Sequence, residues 1–423
     1  MLKSLINIEN SSNIFKLFTA PIVLQIISSI ANLLPALYLV KFTGLSEFGK
    51  YSLCFMILMI SREFFIAMIL TPMGILLPKI SVHRLSAYRS ILTLNLLIFI
   101  FISSFFIFFI ISLIAFYSQL NWFLDILIII IFGNFATCSC EFLKRYFLIT
   151  SRDRLAITLE VFKLLLYLAL LFFIESLGHL TYQNALNYLT FSLFISSFFG
   201  LFFFGTLSWS SFLVKGVMLS HAKFIKWNGV TTFAKSFMNS SPIFILGVLF
   251  GEAYVGLFRS CQQITNSVQI PIIALSQLGS SRASNILKTK GINQFHTFLR
   301  QIFLLALIIV VPIIILVIAS SQPIQSFLNI NSDEFLLIIV ILIFGNLIIV
   351  ARLPVLVYLE VMQLPNLIAY SQILSLILGF PVAFILISKG DTIAAASCYI
   401  IFNGLSLIFM EFFFKTKQKE SMF

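Results

Sequence analysis

The sequence predicts an all-α polytopic membrane protein of about twelve transmembrane helices, arranged as two six-helix lobes of parallel orientation around a central cavity. Three observations carry this. Of 423 residues, 60% are hydrophobic and 10% charged, whereas a soluble domain carries about 45 to 50% apolar and about 25% charged residues. The apolar residues, with 50 Phe among them and a mean hydropathy of +1.08, form long solid runs. One stretch recurs half a chain later. A water-facing surface cannot be covered by so few charges at this length, so a soluble globular protein is excluded.

Twelve runs are long enough to span. The first, 17–40, follows Lys3, Glu9 and Lys16 and is too long for a signal h-region, with no cleavage pattern after it, so it is retained. The second, 51–71, holds Arg62 and Glu63. The third, 91–116, contains the Phe-rich segment FISSFFIFFIIS, which reads as lipid-facing. Spans 122–142, 155–175 and 185–205 complete the first half. Spans 228–250, 257–279, 299–320, 334–351, 366–388 and 393–414 form the second. Boundaries are least defined between the tenth and eleventh, where Arg352, Pro354, Glu360 and Pro365 interrupt an apolar stretch. All are helices, because an open sheet edge in hydrocarbon leaves backbone groups unpaired and barrel strands alternate. Five cysteines in or beside apolar runs read as small buried hydrophobes.

Twelve crossings put both termini on one side. Twenty Lys and Arg fall in the segments of one side, including Lys79, Lys144, Arg145, Lys215, Lys223, Arg352 and Lys415, and four (Lys41, Lys50, Arg259, Lys389) on the other. The positive-inside rule then places both termini in the cytoplasm. The net charge of +12 is topology, and a nucleic-acid partner is not implied.

The repeat has an offset of 207 positions. Asn32, Pro35, Gly44, Gly49 and Tyr51 recur as Asn239, Pro242, Gly251, Gly256 and Phe258, and Lys16 as Lys223. Six helices return the chain to its starting side, so the halves, 1–210 and 211–423, share orientation and face one another as two lobes. Pro35 and Pro242 are expected to kink or open their helices. Asn32 and Asn239, one turn earlier, either satisfy the freed carbonyls, face a wet cavity, or act as packing glue. The paired glycines fit tight turns.

Charges within spans need a partner, a wet cavity or a function. Arg62 and Glu63 point about 100° apart, so one of them at most faces a cleft, and Arg62 is the better cation candidate. Glu160 and Lys163, at i and i+3, have the spacing of an ion pair. Lys235 has no acidic neighbour on its own helix and either contacts an anion or snorkels to the interface. Arg259 sits near Glu252, where a rim salt bridge competes with ligand binding. Arg62 and Lys235, joined by Lys163 and Arg259, imply an anionic cargo. There is no Walker loop, HExxH or GxSxG, and no metal-ligand or cofactor pattern, so an enzyme is not indicated.

The stretch FTAPIVLQIISSIANLLPALYLVKFTGLSEFGKYSL and its counterpart GEAYVGLFRSCQQITNSVQIPIIALSQLGSSRASNIL, with the length and span layout, resemble the polysaccharide transporter family of Wzx-type O-antigen and capsule flippases. That family belongs to the multidrug/oligosaccharidyl-lipid/polysaccharide (MOP) exporter superfamily, which includes the MATE transporters. The resemblance implies a bacterial inner-membrane flippase moving an undecaprenyl-pyrophosphate-linked oligosaccharide repeat unit to the periplasmic leaflet. It further implies H+ or Na+ as coupling ion, with Glu63, Glu160 and Asp125 as candidate carboxylates, and polymerase and chain-length proteins of the same pathway as partners. A membrane polysaccharide polymerase or ligase is the alternative from another class, though the predicted connections are short and carry few Arg. A multidrug exporter of the superfamily is the third reading, and cationic drugs would favour acidic cavity residues.

Overall fold

The computed structural model describes residues 11–77, 80, 84–118, 122–206, 208, 211–330 and 332–420. Lys3, Glu9, Lys79 and His83 lie outside the described residues, as do the side chains of Lys16, Lys215 and Lys223. Helices occupy nearly all of the described chain, and no strand occurs among the described residues.

Among the described residues, twelve long helices result once two continuous runs are divided at their non-helical glycines. Ser11–Phe65 breaks at Gly44 (φ 81°, ψ 174°) into α1 (11–43) and α2, which continues through a π-helical turn, Ile66–Leu70, to Thr71–Leu76. Pro72 lacks an N–H, and the π turn forms where the ordinary ladder would need one. α3 is Leu85–Ser118; α4 is Leu127–Ile149, after a short turn Trp122–Asp125; α5 is Asp153–Ser176; α6 is Tyr182–Leu201; and α7 is Ser211–Leu249. α8 starts as Glu252–Thr265, passes a 3-10 turn at Asn266–Val268, and enters the run Gln269–Phe327, which Gly291 (φ 79°) divides into the end of α8 and α9 (292–327). α10 is Phe335–Val361, α11 Pro365–Lys389 and α12 Thr392–Glu420. Eight described segments are long and apolar enough to cross a bilayer.

Two expectations change. The tenth span runs on to Val361, carrying Arg352 and Pro354 inside α10, and ends where Gln363 takes φ 57° just before Pro365. Arg352, and likewise Lys144 and Arg145 of α4, are therefore helix residues and not loop charges. Second, neither Pro35 nor Pro242 opens its helix, since both stay within helical dihedral angles and the breaks fall at glycines, which reach positive φ without a Cβ clash.

The halves pair their helices alike. α4 packs on α6, α5 on α6 and α1 on α5; correspondingly, α10 packs on α12, α11 on α12 and α7 on α11. Between halves, α2 crosses α8 at the end of the bundle marked by Gly44 and Gly251, here called the turn end; the opposite, basic end holds the α4–α5 and α10–α11 turns. Gly251 (φ 91°, ψ 178°) repeats the backbone of Gly44. A Cβ on Gly49 would lie 1.8 Å from the Glu252 carbonyl oxygen, and one on Gly256 would lie 2.0 Å from that of Leu45. Leu45 and Glu252 are themselves 207 positions apart, so the contact is reciprocal, as a two-fold axis along the bundle demands. Beneath the seam Leu53, Leu246, Val255 and Phe258 are buried. Outward, Phe101, Phe105, Phe106, Phe108 and Phe109 of α3 stand exposed, as expected for a lipid face.

Candidate functional site

Charges inside this bundle fall into two groups, those with carboxylate partners and those without. The first group is a network in the first lobe. Glu141 on α4, 4% exposed, receives Arg62 of α2 at 3.0 Å, Lys144 at 2.7 Å and Arg145 at 3.3 Å. Lys144 also reaches Glu160 of α5 at 3.4 Å, and Glu160 pairs with Lys163 at the predicted i,i+3 spacing. Four cations thus share two carboxylates. Counting about 1.5 Å per residue from the helix ends, the network lies about 10 to 12 Å inside the basic end.

Arg62 is therefore not the free cavity cation that the sequence suggested, because Glu141 holds it. Glu63 turns the other way, as the 100° offset between neighbours requires. Its carboxylate accepts a hydrogen bond from Ser236 of α7, joining the two lobes. Sequence reasoning missed Glu141 and Lys144. The pattern Glu141, Lys144, Arg145 at i, i+3 and i+4 could have shown them, had the span not been ended at 142.

A polar tier stands behind the network. Asn134 of α4 accepts from Ser61 (2.6 Å) and donates to Ser103 and Ser104 of α3. In the second lobe Asn346 of α10 accepts from Gln269 (3.1 Å) and Tyr399 (3.2 Å) and donates to the Thr265 carbonyl. These two asparagines end a repeated tetrapeptide, Ile-Phe-Gly-Asn, at 131–134 and 343–346. Its glycines admit the close approach of α6 and α12, where a Cβ would meet Thr190 and Tyr399 respectively. At the same spacing of 212, Gln372 stands where Glu160 stands in the first lobe. The second lobe therefore has amides at these places, with one charge, Arg352, joined to Gln372 through Ser406.

The second group holds Lys235, Arg259 and Arg352, none with a carboxylate partner among the described residues. Lys235 is exposed, on the face of α7 that also carries Asn239 and lies opposite Phe233 and Phe237. Arg352 donates to Ser406 at 2.8 Å. Arg259 makes no rim salt bridge: Glu252 instead accepts from the Trp122 indole at 2.9 Å, and Arg259 is buried, 5% exposed, donating to Gln262 at 2.5 Å. It borders a small cavity of about 20 Å³ that Asn32, Pro35, Tyr51, Tyr167 and Gln263 also line. Asp125, by contrast, is exposed at the turn end, away from both groups. Pro242 is buried and Asn239 half-buried on α7. All five cysteines are buried free thiols.

No protein-family model and no curated protein matches the chain. Solved structures do match its fold. A multidrug-resistance MATE-family transporter of the MOP superfamily, in an inward-facing conformation, aligns over 94% of this chain and 98% of its own at 13% identity and a TM-score of 0.75. The lipid II flippase MurJ, in an inward closed conformation, covers 93% and 87% at 13% identity and 0.73. A MOP-superfamily transporter from Pyrococcus furiosus, for which a reverse polarity of the binding pocket suggests a different function, covers 96% and 95% at 12% identity and 0.67. At such identities the likeness establishes the fold: this is a multi-pass membrane chain with the architecture shared by MATE transporters and MurJ.

Proposed function

We propose that the chain is a flippase for an undecaprenyl-pyrophosphate-linked oligosaccharide repeat unit of the Wzx type, working by alternating access between lobes formed by 1–210 and 211–423. One observation carries the reading: three cations on helices of the second half, the exposed Lys235 and the more covered Arg259 and Arg352, have no carboxylate partner among the described residues, in a fold that a lipid II flippase shares. Cations without carboxylate partners favour anionic over cationic cargo, which tells against the multidrug reading. Pocket polarity is also what sets the Pyrococcus furiosus neighbour apart.

The mechanism follows from the geometry. With the basic end in the cytoplasm, as the loop charges imply, the Gly49–Gly256 seam closes the periplasmic side. Lys235, about 24 Å from Gly251 along α7, meets the pyrophosphate near the cytoplasmic leaflet, with the two-cation excess of the Glu141 network at similar depth. An ammonium or guanidinium there replaces hydration of the phosphates, while the prenyl chain stays in lipid. Opening the seam reverses access, while the Glu63–Ser236 bond ties α2 to α7 at the depth of Lys235. Glu63 is the ion-coupling carboxylate we propose, because of the three candidates it is the one that bonds between lobes.

A deletion strain tests the reading. Loss of the protein is expected to leave assembled, untranslocated lipid-linked units on the cytoplasmic leaflet. Single units reaching the periplasmic leaflet normally but unpolymerised would refute it in favour of a polymerase.

A further inference from the structure

Two arginines outside the Glu141 network close on one short turn. Arg89 of α3 donates from Nε to the Tyr146 hydroxyl at 2.7 Å and from Nη1 to the Thr206 carbonyl at 3.3 Å. Arg152, in the α4–α5 turn, donates from Nη1 to the Phe203 carbonyl at 2.9 Å. Three residues of chain reach at most about 11 Å, so both guanidiniums lie on the segment that leaves α6. A Cβ at Gly205 would meet Arg89 Nη1 at 2.5 Å, and glycine leaves that room. Buried Phe204 holds the segment down, T-shaped against Phe142 and Tyr146 with ring centroids 5.4 and 4.8 Å away.

Capping the carbonyls that follow a helix accounts for one N–H of each arginine. It leaves the rest of both forks open. Arg89 Nη2 and Arg152 Nε and Nη2 bond to no described residue, and neither arginine has a carboxylate partner, Asp153 beside Arg152 included. The repeat separates scaffold from charge. Tyr358 is the counterpart of Tyr146 at the offset of 212 and His296 that of Arg89 at 207, and these two also meet, with ring centroids 6.1 Å apart. Phe414 packs on Tyr358 at 4.6 Å, T-shaped, as Phe204 packs on Tyr146. At the place of Arg152 stands Leu364, each after a residue with φ 57°. The aromatic frame is thus common to both lobes, and the guanidinium pair belongs to the first alone.

What the pair faces follows from its level. It lies at the basic end, and Phe198, Phe202 and Phe203, at and just past the end of α6, are exposed beside it. Exposed phenylalanines on a spanning bundle meet acyl chains, so a cationic fork at their border meets the headgroup layer. Guanidinium forks match phosphate oxygens with paired hydrogen bonds. An occupant with acyl chains against the rings and a phosphate at the arginines is a phospholipid, and two uncompensated cations select one of net negative charge.

We propose that Arg89 and Arg152 form a binding site for the phosphodiester of an anionic membrane phospholipid at the basic edge of the first lobe, whatever cargo the chain moves. The full chain in detergent is titrated with phosphatidylglycerol, phosphatidylcholine or inorganic phosphate, and bound lipid is counted by native mass spectrometry. Phosphatidylglycerol is expected to load about tenfold more than phosphatidylcholine. Gln at both positions keeps an N–H for each carbonyl and removes the charge, so Arg89→Gln with Arg152→Gln should lower that loading by about 25-fold. Arg152→Gln alone, at an exposed side chain, should lower it by about fivefold and gives the reading should the double variant aggregate. Lys288→Gln with Lys290→Gln removes two exposed cations at the basic end of the second lobe and should leave loading unchanged. Equal loading of the two lipids, unchanged loading in the arginine variants, or an equal loss in the lysine control would overturn the site. Inorganic phosphate displacing the lipid at equal concentration would also overturn it, in favour of a site for free anions.

Discussion

The seam at the turn end makes a steric prediction that needs no knowledge of the cargo. Gly49→Ala puts a methyl carbon 1.8 Å from the Glu252 carbonyl oxygen, and Gly256→Ala puts one 2.0 Å from that of Leu45. An ordinary carbon–oxygen contact is about 3.3 Å, and both obstacles are backbone, so no rotamer change relieves them. α2 and α8 must separate by about 1.3 to 1.5 Å. Overpacking of this kind typically costs 1 to 3 kcal/mol, and a bias of that size shifts the closed-to-open ratio by about 5-fold to 150-fold. Because one separation relieves both clashes, the double variant should fall well short of additivity. The assay places Ser52→Cys, buried beneath the seam, in a background without native cysteines, and follows its labelling by a membrane-impermeant thiol reagent added at the turn end. Labelling should rise in both glycine variants. Gly44→Ala is the control: it strains a φ of 81° but meets nothing within 4 Å, so it should not wedge the seam. Unchanged labelling and transport in Gly49→Ala and Gly256→Ala would refute the gate.

Three further outcomes follow. Glu141→Gln leaves Arg62, Lys144 and Arg145 with Glu160 as their remaining carboxylate, and should lower stability by about 3 to 5 kcal/mol, read as thermal aggregation in detergent; Arg62→Ala, at a partly exposed side chain, should lose much less. Lys235→Ala touches an exposed cation without a partner, so transport should fall while the melting profile stays put, and Lys235→Arg should restore transport. Asn134→Leu and Asn346→Leu each orphan buried hydrogen-bonding groups and should cost about 1 to 3 kcal/mol, with the larger loss at Asn346, whose partners include the buried Tyr399; equal stability to the wild type in a denaturation series would dismiss their keystone role.

The helices were legible because their signal is local: a run of apolar residues is the same observation in the sequence and in the bundle. The 207-residue repeat was legible where backbone geometry demands glycine, at Gly44 and Gly251, or demands closeness, at Gly49 and Gly256. Past the second helix of each half the register slips to 212, so the Ile-Phe-Gly-Asn pair does not fall on the 207 offset. Side-chain pairing was less legible. Arg62 seemed free because its partner lies 79 positions away on another helix, and Glu252 seemed the natural partner for Arg259 because it is near in sequence. Seven residues along a helix bring the two within about 11 Å, yet a tryptophan from a different helix takes the carboxylate. Arg352 was read as a loop charge because Pro354 follows it, although the helix absorbs that proline.

The two lobes share a skeleton and divide the chemistry between them. At equivalent places the first lobe carries Arg62, Glu160 and Lys163, and the second carries Gln269, Gln372 and Ser375. Were the charges needed to hold the helices together, the second lobe would need them too, yet it packs the same helix pairs with amides and hydroxyls. Replacing a buried ion pair by neutral groups is often no loss of stability. The charges of the first lobe are therefore not demanded by the shared packing, and the same holds for Arg259, whose repeat-mate is a serine.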